Sequence, residues 1–346
     1  MKKILSVLLV LLMMFSLVAC GNSSSGDDAV TDDGYAETPT YTLRFGHVLT
    51  EQDAFHQGFI EWAEAVYEAT KGDLVIEVYP SGQLGSEEDV LEQIRQGANI
   101  GWMTDFARGG SYIPELGIVQ LPGCLSSIAE ADALIESPTY NKYVEQLADE
   151  FGLRALSYNW VQGARMLFTN HPGTTPSDFS DLLIRCPSSI FSTTATEATG
   201  AGSVAIAFGE VYNAIQTKVC DGCELAYSTA YNSKIHEVCD YAIETSHIYQ
   251  LQLIAISEDW WQSLPAEYQQ ILQDECNKAG HNWSLVEEAN QATAMQAMID
   301  EGGMTVISAD ELDWDAFNAN YAAAYEKLGL TELREKIYAE IGKEMP

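Results

Sequence analysis

The residue types best suited to hold a metal fall in one stretch, Cys220-x-x-Cys223 followed by His236-x-x-Cys239. Thiolate and imidazole at short spacing are what zinc takes. Here, however, the first pair straddles Asp221-Gly222 at the entrance to a strand, and the second sits near a helix end. That placement suits small buried thiols or one disulfide, so neither metal nor cofactor is expected. Six cysteines follow Cys20 (Cys124, Cys186, Cys220, Cys223, Cys239, Cys276), an even count that leaves fifteen pairings open. Signatures of catalysis are missing: there is no Gly-x-Ser-x-Gly, no His-Glu-x-x-His and no phosphate loop. The run Gly200-Ala201-Gly202-Ser203-Val204-Ala205 spells a dinucleotide pattern, but it leads from a helix into a strand, the reverse of the order phosphate binding needs. No catalytic residue is therefore expected. The cations are few, 17 Lys and Arg in 346 residues. Arg165 and Arg185, each at a β-rich run, stand out among them, because a guanidinium fork matches a carboxylate in bidentate fashion.

The elements that must position these groups read as alternating strands and helices. Tyr41 to His47 is β-rich, and residues 54–69 carry Phe55, Phe59, Trp62 and Val66 on one helical face. Leu74, Ile76 and Val78 alternate as a strand, Ser86 makes a good N-cap for a second helix, and Ile100 to Met103 reads as a buried strand. The order implies a parallel α/β sheet. After a strand near 153–158, a second α/β set follows: strands at 166–169, 182–185, 203–207 and 238–245, with helices near 190–199, 209–218 and 228–237. A strand at 251–256 and a helix of about 35 residues from Pro265 come next, then a short strand at 304–307 and two closing helices. Such a helix runs roughly 50 Å, longer than one small lobe. Two sheets facing each other would form a cleft lined by loops at the carboxyl ends of their strands. His47, Trp102 and Trp160 are candidates for that cleft by position alone, and Asp105 and His47 are the groups a surface enzyme would use.

The amino end carries an export signal. Lys2 and Lys3 precede an apolar run from Ile4 to Val18, too short to span a bilayer. It ends in Leu17-Val18-Ala19-Cys20, which looks like a bacterial lipobox and implies cleavage before Cys20 and lipid on its sulfur. Residues 1–19 are thus expected as signal peptide and 20–40 as a lipidated flexible tether on the outer face of the cytoplasmic membrane. The formal charge of −34, or −36 without Lys2 and Lys3, repels nucleic acid and anionic lipid, and neither is an expected partner.

The informative block is Gly163-Ala164-Arg165, Asn170-His171-Pro172, Leu182-Leu183-Ile184-Arg185-Cys186-Pro187, residues 205–216 (Ala-Ile-Ala-Phe-Gly-Glu-Val-Tyr-Asn-Ala-Ile-Gln), and Val219-Cys220-Asp221-Gly222-Cys223-Glu224. Upstream stand Tyr79-Pro80-Ser81-Gly82-Gln83-Leu84-Gly85 and Leu91-Glu92-Gln93-Ile94-Arg95-Gln96-Gly97. Together they resemble the extracytoplasmic solute receptors of tripartite ATP-independent periplasmic (TRAP) transporters, typified by C4-dicarboxylate and sialic acid binding proteins, over nearly all of residues 41–340.

The resemblance implies an α/β, two-lobed, type II-like periplasmic binding fold with a long helix backing both lobes. Lobe I would take 41–162 plus 251–290, and lobe II 163–250 plus 291–346. Arg185 in Ile-Arg-x-Pro matches the family's principal carboxylate ligand, and Arg165 a second arginine on the same group. Phe208 matches an aromatic that packs on the ligand, and Asp105 falls near a position that contacts polar ligand groups. Glu210 and Tyr212 recur in the family and are read as structural. Departures occur at Leu225, where the family often has Asn, and at Lys218, where it usually has Gly; the leucine implies a ligand less hydroxylated than a sialic acid. The expected partners are a small organic acid and the membrane subunits of a TRAP permease. Rival readings are a receptor for an ATP-driven importer or a sensor, and a surface enzyme acting on an acidic substrate.

Overall fold

The computed structural model describes residues 34–345. The signal segment and Cys20 lie outside them. Strand β1 (Tyr41–Gly46) leads through helix α1 (Ala54–Ala69) to β2 (Leu74–Tyr79), and α1 buries Phe55, Phe59, Trp62 and Val66 against the sheet. Helix α2 (Glu87–Arg95) starts where Ser86 Oγ accepts from Asp89 N at 3.2 Å, and its first turn holds Glu87, Glu88 and Asp89 against the positive end of the dipole. Strand β3 (Ile100–Asp105) ends in Asp105, whose carboxylate caps the short α3 (Phe106–Gly109). A 3-10 segment (Pro114–Gln120), α4 (Ile128–Ile135) and α5 (Pro138–Phe151) cover this half.

Strand β4 (Leu153–Thr169) then crosses to the other half. There β5 (Leu183–Cys186), α6 (Ile190–Ala198), β6 (Gly202–Ala205), α7 (Val211–Gln216), β7 (Gly222–Leu225) and α8 (Tyr227–Asn232) alternate. Strand β8 (Tyr241–Ser257) crosses back, followed by α9 (Glu258–Ser263), α10 (Ala266–Gly302), β9 (Thr305–Ile307), α11 (Trp314–Leu328) and α12 (Thr331–Ile341).

The strands form one nine-stranded mixed sheet in the order β2-β1-β3-β8-β4-β7-β5-β6, with β9 on β8. This corrects the expectation of two separate parallel sheets. Segments 153–158 and 166–169 are one strand of 17 residues, and so are 238–245 and 251–256 once the frayed start is trimmed to Tyr241. Both long strands are antiparallel to each other, and β8 to β3 and β4 to β7 likewise. Register shifts at Ala155/Ser157, Ser157/Trp160, Val161/Gly163 and Arg165/Leu167 break the alternation that would mark a continuous strand in the sequence. Bulges of this kind bend a strand without ending its ladder. The helix expected at 228–237 stops at Asn232, because Lys234 adopts φ 58° and starts a 3-10 turn.

Helix α10 has 37 residues and is buried at intervals along its length. Leu272, Cys276 and Ala279 pack with Trp62 and Phe59 in the first half, Ala294 and Met298 with Phe168 and Ile235 in the second. It backs both halves. Helix α12 packs on the first half: Ile337 and Tyr338 share a core with Leu121, Cys124 and Tyr140, although the sequence reading assigned 291–346 to lobe II. The connection from α11, whose Phe317 and Tyr321 pack with Leu182 and Ile184, carries the chain across. No helix among the described residues is long and apolar enough to cross a membrane.

Candidate functional site

The carboxyl ends of β3, β5, β6 and β7 open on one cavity of ≈ 420 Å³ between the two halves, the place where open α/β sheets receive ligands. The crossing strands supply its floor with Gln162 and Arg165 from β4 and Gln250 and Gln252 from β8. Gln252 Nε2 donates to Gln162 Oε1 at 2.7 Å, and Gln162 Nε2 to Thr229 Oγ1 at 2.8 Å, which locks that row. Gln250 Nε2 is buried with no hydrogen-bond partner.

Arg185 sits one residue before the end of β5 and is 3% exposed. Its Nε donates to Ile206 O at 2.8 Å, and its guanidinium lies 5.9 Å from the ring centre of half-buried Phe208. Among the described residues, no carboxylate comes within ion-pair distance of it, in contrast to Arg108 and Arg165. Burial pulls its pKa down; Glu224 opposes this and the Arg165 charge adds to it. A buried cation without a counter-ion is costly and is eased by an arriving anion.

Arg165 is differently placed. Its Nε contacts the Glu224 carboxylate closely, Nη2 donates to Glu224 O at 2.6 Å and Nη1 to Gln250 Oε1 at 3.2 Å. It lines the cavity with its charge already shared. Burial raises the Glu224 pKa, against the pull of Arg165 and Arg185.

Across the cavity, Asp105 caps α3 through Arg108 N at 3.1 Å and lies 3.4 Å from Arg108 Nη1. Arg108 Nη2 meets Glu87 at 2.8 Å, and Thr104 Oγ1 donates to Glu87 at 2.6 Å. Burial pushes the Glu87 carboxyl up to about 7, with Arg108 opposing. This wall therefore offers Glu87, Glu88 and Asp105 around one arginine. Sequence reasoning missed Arg108, Glu87 and the glutamine floor. The i,i+3 spacing of Asp105 and Arg108 was a usable signal; the glutamines carried none.

Phe208, Asp105 and Leu225 line the cavity together with both arginines. Trp102 and His47 do not, and their candidacy is corrected. Trp102 is fully buried in the core with Leu91 and Phe106. His47 is fully buried with Nε2 3.1 Å from His56 Nδ1, and burial drops its pKa to about 3, which makes it a neutral core imidazole. Trp160 is likewise core, its ring 4.6 Å from Phe59. Position at a strand end does not say which way a side chain points. Cys220, Cys223 and Cys239 are free thiols in the second half's core, where burial pushes the Cys223 pKa to about 12. No group of three or more His, Cys, Asp or Glu that could hold a metal occurs among the described residues.

A cavity between two α/β halves joined by crossing strands, with an unpaired guanidinium facing in, defines a solute-binding protein. Residues 45–331 match the family model described as bacterial extracellular solute-binding protein, family 7, and the chain belongs to that family. The chain is 29% identical over 261 residues to the sialic acid-binding periplasmic protein SiaP of Vibrio cholerae, covering 75% of this chain and 81% of that one. It is 26% identical over 303 residues to the C4-dicarboxylate-binding periplasmic protein DctP of Rhodobacter capsulatus, covering 87% and 88%. The apo open crystal structure of a TRAP periplasmic solute-binding protein from Escherichia fergusonii superposes with a TM-score of 0.76 at 29% identity, over 86% of this chain and 99% of that one. The chain is an extracytoplasmic solute receptor of the TRAP type, a transport receptor and not an enzyme.

Proposed function

We propose that this receptor is lipid-anchored through Cys20, captures a small organic acid in the interlobe cavity and hands it to the membrane subunits of a TRAP permease. The observation that carries the ligand class is Arg185, a buried guanidinium with no carboxylate of its own and its fork facing the cavity. Arg185 is the principal carboxylate ligand, Arg165 assists, and Phe208 and Leu225 pack on the ligand's apolar surface. Two relatives, by their names, take a sialic acid and C4-dicarboxylates, so both monoacids and diacids are on offer.

The wall of Glu87, Glu88 and Asp105 favours the first kind. A second carboxylate there would meet three acidic groups and one arginine already engaged, whereas hydroxyl or amino donors find acceptors. The acid is accordingly a monocarboxylate whose far end donates hydrogen bonds. Mass spectrometry of ligand retained through native purification, followed by calorimetry against hydroxylated monoacids and C4 diacids, tests this. Tighter binding of the diacids would overturn it. The anchor is tested separately: Cys20→Ser should release the protein from the membrane, since stable attachment needs more than one acyl chain.

A further inference from the structure

A second buried arginine lacks a counter-ion, far from the cleft. Arg334 on α12 is 5% exposed, and its guanidinium is held between two rings, 4.2 Å from the centre of Tyr325 and 5.0 Å from that of Tyr338. Its Nε is buried without a hydrogen-bond partner, and among the described residues no carboxylate comes within ion-pair distance. The Tyr321 hydroxyl on α11 is also buried and unpartnered. Both residues line a cavity of ≈ 120 Å³ together with the Pro122-Gly123 turn, Tyr338, Lys343 and the exposed Glu344. The two ring hydroxyls donate elsewhere, Tyr325 to Pro122 O at 3.0 Å and Tyr338 to Gly123 O at 2.5 Å; the Tyr338 hydroxyl also hydrogen-bonds with the Arg334 side chain, and Lys343 Nζ is held by Glu130 at 2.8 Å.

We infer that this cavity is a binding site for a small oxyanion, of the size and charge of inorganic phosphate. Space for several waters is available, since a water needs only about 10–15 Å³ on this measure. The aromatic faces stabilise the cation but supply no hydrogen-bond acceptor for Nε. An oxyanion would accept from Arg334 Nε and from the Tyr321 hydroxyl at once, satisfying two buried donors that otherwise stay unpartnered. Its position gives it a structural use. Tyr321 of α11 packs with the second half, while Tyr325 of the same helix, α12 and the Pro122-Gly123 turn pack on the first, so an anion shared by Tyr321 and Arg334 would reinforce the contact between the closing helices where the halves meet.

The test uses the full mature chain carrying Arg185→Ala, so that phosphate entering the main cleft does not contribute. Melting temperature is followed while sodium phosphate is titrated against sodium chloride of equal ionic strength. A saturable rise specific to phosphate is expected, because a ligand that binds only the folded state stabilises it by mass action. Arg334→Met should abolish the rise. Tyr321→Phe removes one hydroxyl without disturbing the helix and should raise the half-saturating concentration roughly threefold to tenfold. It decides the matter alone if Arg334→Met does not fold. No phosphate-specific rise, or a rise with the same midpoint in Tyr321→Phe, would sink the site.

Discussion

In a chain of formal charge near −34, an anion is repelled at long range and is held only by a cation that is local, oriented and free of other duties. Arg185 meets those terms in full, whereas Arg165 shares its charge with Glu224 and has only an assisting part left to play. Charge-assisted hydrogen bonds contribute about 1.5–3 kcal/mol each, and a fork supplies two. Arg185→Ala should therefore weaken binding of the retained acid by at least roughly 3 kcal/mol, more than about 100-fold by calorimetry. Arg185→Lys should restore little, since an ammonium keeps the charge but loses the planar fork. Arg165→Ala should show its main effect in unfolding. It strands Glu224, 1% exposed, as an uncompensated buried carboxylate, which costs about 3–5 kcal/mol in urea melts. The double variant Arg165→Ala with Glu224→Gln should recover much of that loss.

Helix α10 is held to β4 by contacts that tolerate no added bulk. Ser284 Oγ accepts from Val161 N at 2.7 Å and reaches Gly280 O at 2.7 Å. A Cβ on Gly280 would run into Asn159 Oδ1 and lie 2.7 Å from Trp160 Nε1. Gly280→Ala should destabilise the fold by about 1–3 kcal/mol despite raising helix propensity, because backbone and ring must shift apart. A midpoint in urea equal to the wild type would refute this. Further along, Glu287 is 2% exposed, accepts from Ser228 Oγ and from Gln291 Nε2, and is pushed by burial up to about 7, with Asp53 adding to the rise. Its folded pKa lies above the ordinary 4.5, so the folded state keeps a proton that the unfolded chain has released. That contribution is complete below about 4.5 and is lost as pH rises through 7, by up to roughly 3 kcal/mol. His47 and His247, both near 3, act in the opposite direction between about 3 and 6.5. The reading is therefore the difference between variant and wild type: Glu287→Gln should flatten the fall in stability from pH 5 to 8.

The two halves are joined through β4, β8 and α10, and β4 carries its register shifts along that connection. In the proposed binding mode the ligand lies between Arg185 on one side and the Asp105 wall on the other, so it contacts both halves and favours the form in which they are closest. A ligand shifts such an equilibrium only by its differential affinity for the closed form. Small-angle scattering should thus show a smaller radius of gyration with saturating acid, and no change for Arg185→Ala at the same concentration. Identical profiles for the wild type with and without ligand would refute closure.

Local chemistry was legible from the sequence alone: the Ser86 cap, the buried face of α1 and the long helix to Gly302 follow from short-range spacing, while Arg185 stood out through the resemblance of Ile184-Arg185-Cys186-Pro187 to the family's motif. Register, direction and partner choice were not. Bulges hid the continuity of β4 and β8, since alternation fails at each shift while the hydrogen bonds continue. Trp102, His47 and Asp105 all follow strand-end logic, yet only Asp105 turns into the cavity. Two arginines twenty residues apart have the same chemistry on paper. Which of them is free for a ligand depended on where a glutamate from another strand came to rest, and that is decided by packing among residues distant in the chain.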